Sequence, residues 1–236
     1  MPSKSKLLIF AKAPLSGEAK TRLSPPLTAI EAATLAEAFL LDTLEMVGTV
    51  KLNADIIIYY TPETATDYFT YLKPDNWQIK PQQGRSLKMK ITNAFRIEIG
   101  STDQPVIIIG TDSPTLPPQY LIEAFKIISK VDLVIGPALD GGFYLIGMNK
   151  FYPELLKPVI LSKPDSCEKL LESAARIGLT FKKLPEWYDI DRFEDLKHIN
   201  NQISDKYGFA APRTRTLRHG YIIFSAAPWV CNTAPG

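Results

Sequence analysis

Short apolar runs of strand length alternate with amphipathic stretches of helix length along most of this chain. Leu7 to Phe10 is a buried-strand run, and ADIIIYYT, PVIIIG and DLVIG repeat it with β-branched and aromatic residues. After the first run, Pro25 and Pro26 prevent an early helix, and Thr28 with Glu31 forms a capping box. The helix that follows places Ile30, Ala33, Leu40, Leu44 and Val47 on one stripe and runs to Gly48. Further helices are predicted from Glu63 to Leu72, from QQGRSL to about Phe95, over YLIEAFKIIS and SCEKLLESAARIG, and from near Phe193 to Ile203. Short strands are predicted near Trp77 and Ile79 and at TFKKLP, and PALDGGFYLIGM reads as a loop entering a strand.

The repeated β-α order predicts an α/β fold, a mainly parallel sheet flanked by helices on both faces. Residues 1–205 read as one domain, and 206–236 as a basic and apolar appendage, either an added edge strand or a disordered tail. The chain has 236 residues, 45% of them hydrophobic, enough for one core and short for two. Its 27 basic and 25 acidic residues leave a charge of +2, too small to make nucleic acid or an anionic membrane the expected partner. Only Cys167 and Cys231 are present, which excludes a disulfide framework or cysteine-rich zinc site and suits a reducing compartment. No run reaches the roughly 18 apolar residues of a membrane span, and the apolar part of MPSKSKLLIF is too short for a signal peptide, so the cytoplasm is the expected location. Oligomeric state is left open.

Four groups of residues could carry chemistry. The first strand empties into a loop with Lys12, Gly17, Lys20 and Arg22, an arrangement open α/β sheets use to hold phosphate at the carboxyl ends of their strands. Lys20 and Arg22 alternate about Thr21, so an extended loop would aim both at one diphosphate. The spacing is not that of a Walker motif, and a solvated basic loop is the plainer alternative. Asp112, just past PVIIIG, either holds Mg²⁺ or Mn²⁺ against phosphates or caps the turn before Pro114. In the third group, Asp189, Asp191, Glu194 and Asp195, Asp191 either caps the helix near Phe193, ligates a metal, or does both. Asp140, Gly141 and Gly142 either form a tight turn or let a substrate lie against the main chain, with Asp140 as base or hydroxyl acceptor. His198 and His219 build neither a triad nor a zinc site.

In order, FAKAPLSGEAKTRL, AFLLDTL, GTDSPTLP, ALDGGFYLIGM and DIDRFEDL resemble bacterial glycosyltransferase-like proteins of the nucleotide-diphospho-sugar transferase superfamily, the group associated with radical-SAM/selenodomain or arsenosugar systems. The resemblance covers about residues 7 to 197 and implies a GT-A type fold. It also implies nucleotide contacts from Ala11, Lys12, Gly17, Lys20, Arg22 and Gly84, a metal position at Asp112 and a late metal acid at Asp191. Gly141 and Gly142 would face the acceptor. The first loop also resembles that of phospholactate guanylyltransferase. The chain departs from the family at Lys88 and Lys90, where a Gly and an Arg are usual, and at Leu161 to Lys163, where a Trp-Ser-Thr stretch is common.

Three functions follow as expectations. The first is Mg²⁺- or Mn²⁺-dependent transfer of a sugar from a nucleotide diphosphate sugar to a small acceptor, with Lys20 and Arg22 stabilising the leaving nucleotide and Asp140 orienting or deprotonating the acceptor. The second is nucleotidyl transfer from a nucleoside triphosphate to a phosphorylated acceptor, releasing pyrophosphate. The third, motivated by Lys88 and Lys90, is nucleotide-sugar binding without turnover.

Overall fold

The computed structural model describes residues 4–101, 104–200 and 209–217. Its strands are β1 (Ser5–Lys12), β2 (Ala54–Thr61), β3 (Gln78–Pro81), β4 (Val106–Ile109), β5 (Leu133–Pro137), β6 (Phe143–Met148) and β7 (Phe181–Lys183). The helices are α1 (Ala29–Thr49), α2 (Thr66–Leu72), α3 (Leu87–Gly100), α4 (Pro118–Ile127), α5 (Ser166–Arg176) and a last one, α6, over 212–217. The helix predicted from near Phe193 is a 3-10 helix over Phe193–Asn200, and its predicted continuation over 201–203 and the stretch from 218 onward lie outside the described residues. No helix among the described residues is long and apolar enough to cross a membrane.

The sheet has the order β3-β2-β1-β4-β6-β5-β7. β6 runs antiparallel to both of its neighbours, and the remaining pairs are parallel. Because β1 to β4 point the same way and β6 points back, the ends of β1, β2 and β4 meet the start of β6 along one edge. That edge collects Lys12, Thr61, Asp112 and the Asp140–Gly142 turn.

Alternation along β1 sends Leu7 and Ile9 into one core layer, with Leu35, Phe39 and Leu40 of α1, Phe69 of α2 and Leu121 of α4. Leu8 goes into the opposite layer, with Phe95 of α3 and Leu170 of α5. The Thr28–Glu31 capping box forms as predicted, the Thr28 amide donating to Glu31 Oε2 at 2.8 Å. Ile30 does not join the buried stripe: it is 71% exposed, whereas Ala33, Leu40, Leu44 and Val47 are buried. It sits in the first helical turn, before α1 reaches the sheet.

α3 is tied down by Glu98, a fully buried carboxylate that accepts hydrogen bonds from Lys6 Nζ at 2.7 Å, from Lys80 Nζ at 2.6 Å and from the Tyr59 hydroxyl. Burial alone would raise the Glu98 pKa, but these donors outweigh it and hold it below the ordinary value. The network fixes α3 against β1, β2 and β3, and so fixes the helix start that faces the cleft.

Candidate active site

The first-strand loop is not extended. Lys20 adopts a left-handed conformation, φ 47°, and Thr21–Leu23 forms a 3-10 turn. The predicted alternation about Thr21 therefore fails, yet Lys20 and Arg22 still converge, because both reach across to Asp191. Lys20 Nζ lies 2.7 Å from Asp112 Oδ1 and 3.5 Å from Asp191 Oδ1, and it donates to the Ile190 carbonyl. Its side chain is largely buried, with the ammonium 5.6 Å from the centre of the Phe39 ring. Arg22 Nη1 donates to Asp191 Oδ2 at 2.9 Å. Lys12 Nζ closes the loop on the Glu18 carbonyl at 2.6 Å.

Asp112 and Asp191 are brought together by the Ile190 amide, which donates to the Asp112 carbonyl at 2.8 Å and joins the two segments by backbone. Neither carboxylate serves as a cap. Asp112 faces Lys20, and the amides of Asp191 and Arg192 are taken by Asp195 Oδ2 at 3.0 and 2.7 Å. Asp195 is therefore the turn-holding acid that the sequence reading saw in Asp191, which leaves Asp191 free to face the cations.

Asp140 and the two glycines make a tight turn between β5 and β6, with Gly142 donating to Asp140 Oδ1 at 2.7 Å. Gly141 has φ +87°, and a Cβ there would stand 1.6 Å from the Pro164 carbonyl oxygen. Its lack of a side chain serves packing against the 160–165 loop, while Asp140 lines the open space on either side. Gly84 lets the chain pass over the first turn of α3, a Cβ there lying 2.8 Å from Met89 Cβ.

Three connected hollows meet at the acids. A cleft of about 460 Å³ runs from Ala11, Gln82 and Ser86 over an apolar floor of Phe10 and Ile108 to Asp112 and Asp140. Such a volume suits a small-molecule ligand. A side hollow of about 260 Å³ lies between the Lys12–Arg22 loop and Asp112 and Asp191. A third, of about 600 Å³, opens on the other side of Asp140 toward Leu161, Lys163 and His198. His198 is stacked on Tyr188, with ring centres 5.0 Å apart. Among the described residues no three His, Cys, Asp or Glu side chains converge as a preformed metal centre.

Sequence reasoning left Asp189 without a role, and the structure brings it to the junction of the first cleft and the third hollow. Burial pushes its carboxyl up to about 7, with the charges of Asp140, Asp112 and Asp191 adding to the shift. The available signal was the Asp189–Ile190–Asp191 alternation, which points two acids to one side of an extended segment. Gln82 was also missed; its amide donates to the Ala11 and Tyr59 carbonyls at 3.3 and 2.7 Å and forms part of the cleft wall.

A family model described as an uncharacterized protein conserved in bacteria (DUF2064) matches residues 43–163. The chain belongs to that family. The matched span holds Asp112 and the Asp140 turn, while the basic loop and Asp191 lie outside it. A search among curated proteins finds no match. Among solved structures, the chain is similar to a protein from Desulfovibrio desulfuricans G20 assigned as a nucleotide-diphospho-sugar transferase, with TM-score 0.80 and 28% identity over 93% of this chain and 98% of that one. It also shares its fold with 4-diphosphocytidyl-2C-methyl-D-erythritol synthase from Anaerococcus prevotii DSM 20548, at TM-score 0.58 and 13% identity over 85% and 96% of the two chains. A CMP:2-keto-3-deoxy-manno-octonic acid synthetase complexed with CTP matches at TM-score 0.50 and 11% identity, over 86% of this chain and all of that one. The fold read from the sequence is that of these solved structures, and the class read from it, a nucleotide-diphospho-sugar transferase, is the one assigned to the Desulfovibrio protein.

Proposed function

We propose that the chain transfers a sugar from a nucleotide diphosphate sugar to a small acceptor, with the nucleotide in the first cleft, between Ala11 and Asp140, and its diphosphate at the side hollow. The observation that carries this reading is the convergence of Lys20 and Arg22 with Asp112 and Asp191, four charges from three separate segments at one sheet edge. Fixed cations beside the diphosphate would stabilise the charge that grows on the leaving nucleotide.

A divalent ion fits this donor set. Asp112 and Asp191 are two carboxylates already sharing one cation, and hard ions such as Mg²⁺ are held by one or two carboxylates with substrate phosphates completing the shell. Charge balance supports the same view, since Lys20 and Arg22 are offset by the two acids and leave no net attraction for a diphosphate. Mg²⁺ or Mn²⁺ held by Asp112 and Asp191 would supply that positive charge. Asp140, between the first cleft and the third hollow, would orient the acceptor hydroxyl or take its proton, with Gly141 and Gly142 shaping the approach. Two cysteines and no disulfide framework favour the cytoplasm as the place of action.

Nucleotidyl transfer is the second reading. It is favoured by Lys12, Arg85 and Lys90, which line the first cleft, form no ion pair among the described residues and suit a substrate of higher charge than a diphosphate sugar. Binding of nucleotides and nucleotide sugars with and without Mn²⁺, followed by assay of the released product, tests both. Nucleoside diphosphate release supports the first reading. Pyrophosphate release from a nucleoside triphosphate, with no sugar-donor turnover, replaces it with the second. Binding without turnover across the panel would leave only a binding protein.

A further inference from the structure

Large apolar side chains are left exposed around the mouth of the site. Leu87 and Met89 at the start of α3, Leu139 in the turn before β6 and Ile160 in the stretch before α5 are each between 48% and 59% exposed. They border connected openings. Leu87 lines the first cleft, Leu139 lines the third hollow, and Leu161, next to Ile160, lines both. Hydrogen bonds join the three segments that carry them. Lys88 Nζ on α3 donates to the Lys157 carbonyl at 3.0 Å, and the Cys167 amide donates to the Gly141 carbonyl at 3.0 Å. Side chains scattered singly would need no explanation, but apolar groups gathered on one rim point to something that covers them.

The same rim is basic. Residues 85–89 and 157–163 carry Arg85, Lys88, Lys157 and Lys163 and no acid. Lys157 pairs with Glu154 at 2.6 Å, while Arg85, Lys88 and Lys163 form no ion pair among the described residues. Asp165 flanks the second stretch, and Asp140, beside Leu139, lines the cleft and accepts from the Gly142 amide. The overall charge of +2 conceals this local excess.

Exposed apolar side chains set among such cations match the surface of an anionic bilayer. There the apolar groups enter the headgroup layer, and each Lys or Arg near the surface is attracted by the lipid charge. A second copy of the chain fits less well, since a twofold contact would set these cations against their own counterparts. We propose that the rim seats the protein on an anionic lipid surface, with the first cleft and the third hollow opening toward it. The contact is peripheral and requires no spanning helix.

The test is co-sedimentation of the full chain with vesicles of phosphatidylcholine alone and of equal parts phosphatidylcholine and phosphatidylglycerol. The native protein is expected to bind the anionic vesicles about tenfold tighter than the neutral ones, and to be released at about 1 M salt, where the screening length falls to about 3 Å. Met89→Ser combined with Ile160→Ser should weaken binding to the anionic vesicles about tenfold through lost apolar insertion. Lys157→Gln combined with Lys163→Gln should weaken it by a similar factor, and provides a second, independent variant. Tyr71→Ser removes a side chain 94% exposed on α2, across the sheet from α3, and should leave binding within about twofold of native. No binding, equal binding to neutral and anionic vesicles, or unchanged binding by either double variant overturns the proposal. A native dimer in sedimentation velocity that Met89→Ser with Ile160→Ser dissociates makes a second copy the occupant and overturns it too. None of these measurements involves a nucleotide, so each such failure leaves the transferase reading standing.

Discussion

The Lys20 ammonium stands 2.7 Å from Asp112 Oδ1 and 3.5 Å from Asp191 Oδ1, between the two carboxylates proposed to take a divalent ion. A second cation entering that space meets Coulomb repulsion from the Lys20 ammonium, moderated by the solvent that reaches the exposed carboxylates of Asp112 and Asp191. On the proposed reading, Lys20 would turn from the acids toward the diphosphate when Asp112 and Asp191 hold a divalent ion. Lys20→Met is expected to tighten Mn²⁺ binding to the nucleotide-free protein about tenfold, read from the free Mn²⁺ signal in electron paramagnetic resonance. The same variant should lower turnover about 10²- to 10³-fold, the usual effect of removing a preorganised charge. Lys20→Arg, which keeps the cation, should bind Mn²⁺ as weakly as the native protein. Equal or weaker Mn²⁺ binding by Lys20→Met would refute the exchange.

Gly141 and Gly17 both have positive φ, +87° and +79°, but their surroundings differ. At Gly141 a Cβ would lie 1.6 Å from the Pro164 carbonyl oxygen, whereas at Gly17 nothing stands within 4 Å. Gly17→Ala should therefore cost only the left-handed backbone, about 1 kcal/mol. Gly141→Ala adds displacement of the 160–165 loop and should cost about 3 kcal/mol or more. Urea unfolding of the two variants measures the contrast, and equal midpoints would show that the 160–165 loop yields without cost.

Asp132 gives the fold an acid-sensitive joint. Hydrogen bonds from the Thr180 hydroxyl at 2.6 Å and the Tyr152 hydroxyl at 2.6 Å hold its carboxyl at about 2, against an ordinary 3.8. Because the folded pKa is the lower one, the contribution is complete above about pH 4 and disappears as the pH falls toward 2. The carboxylate is partly exposed, so screening reduces the contribution to about 1 kcal/mol. Asp132→Asn should be less stable than the native protein by about that amount at pH 7 and indistinguishable from it at pH 2. A stability difference that grows on acidification would contradict the assignment.

How much of this was legible in the sequence depended on whether a feature was local. β1 and β4 are buried parallel strands, and such strands appear as unbroken apolar runs, so Leu7–Phe10 and Val106–Ile109 could be recognised directly. Thr28 and Glu31 form a cap within one turn, and that too could be read. The reversal of β6 could not, because an apolar run has the same pattern in either direction. The left-handed Lys20 was hidden because its conformation is fixed by Ile190, Asp112 and Asp191, all distant in sequence. Asp189 stayed silent for the same reason: its raised pKa comes from burial under the folded chain and from acids contributed by two other loops.

Beyond the sheet, the short helix α6 supplies the donors to a carboxylate that has no others among the described residues. Asp42, fully buried on α1, accepts from the Thr214 amide at 2.8 Å, the Arg213 amide at 3.2 Å and Arg213 Nη1 at 3.3 Å. The Phe209 amide also donates to the Thr115 carbonyl at 3.0 Å, joining this segment to the loop after Asp112. A chain ending at residue 205 loses all of these contacts and uncovers Asp42 and the apolar surface of α1 around it, so it should be destabilised by about 2–4 kcal/mol. A chain ending at Arg218 keeps them and should unfold within about 0.5 kcal/mol of the full protein. Thermal unfolding of the two truncations separates these outcomes. Loss of stability only in the longer truncation supports a catalytic domain that extends to α6; loss in both would mean that residues after Arg218 also contribute to the core.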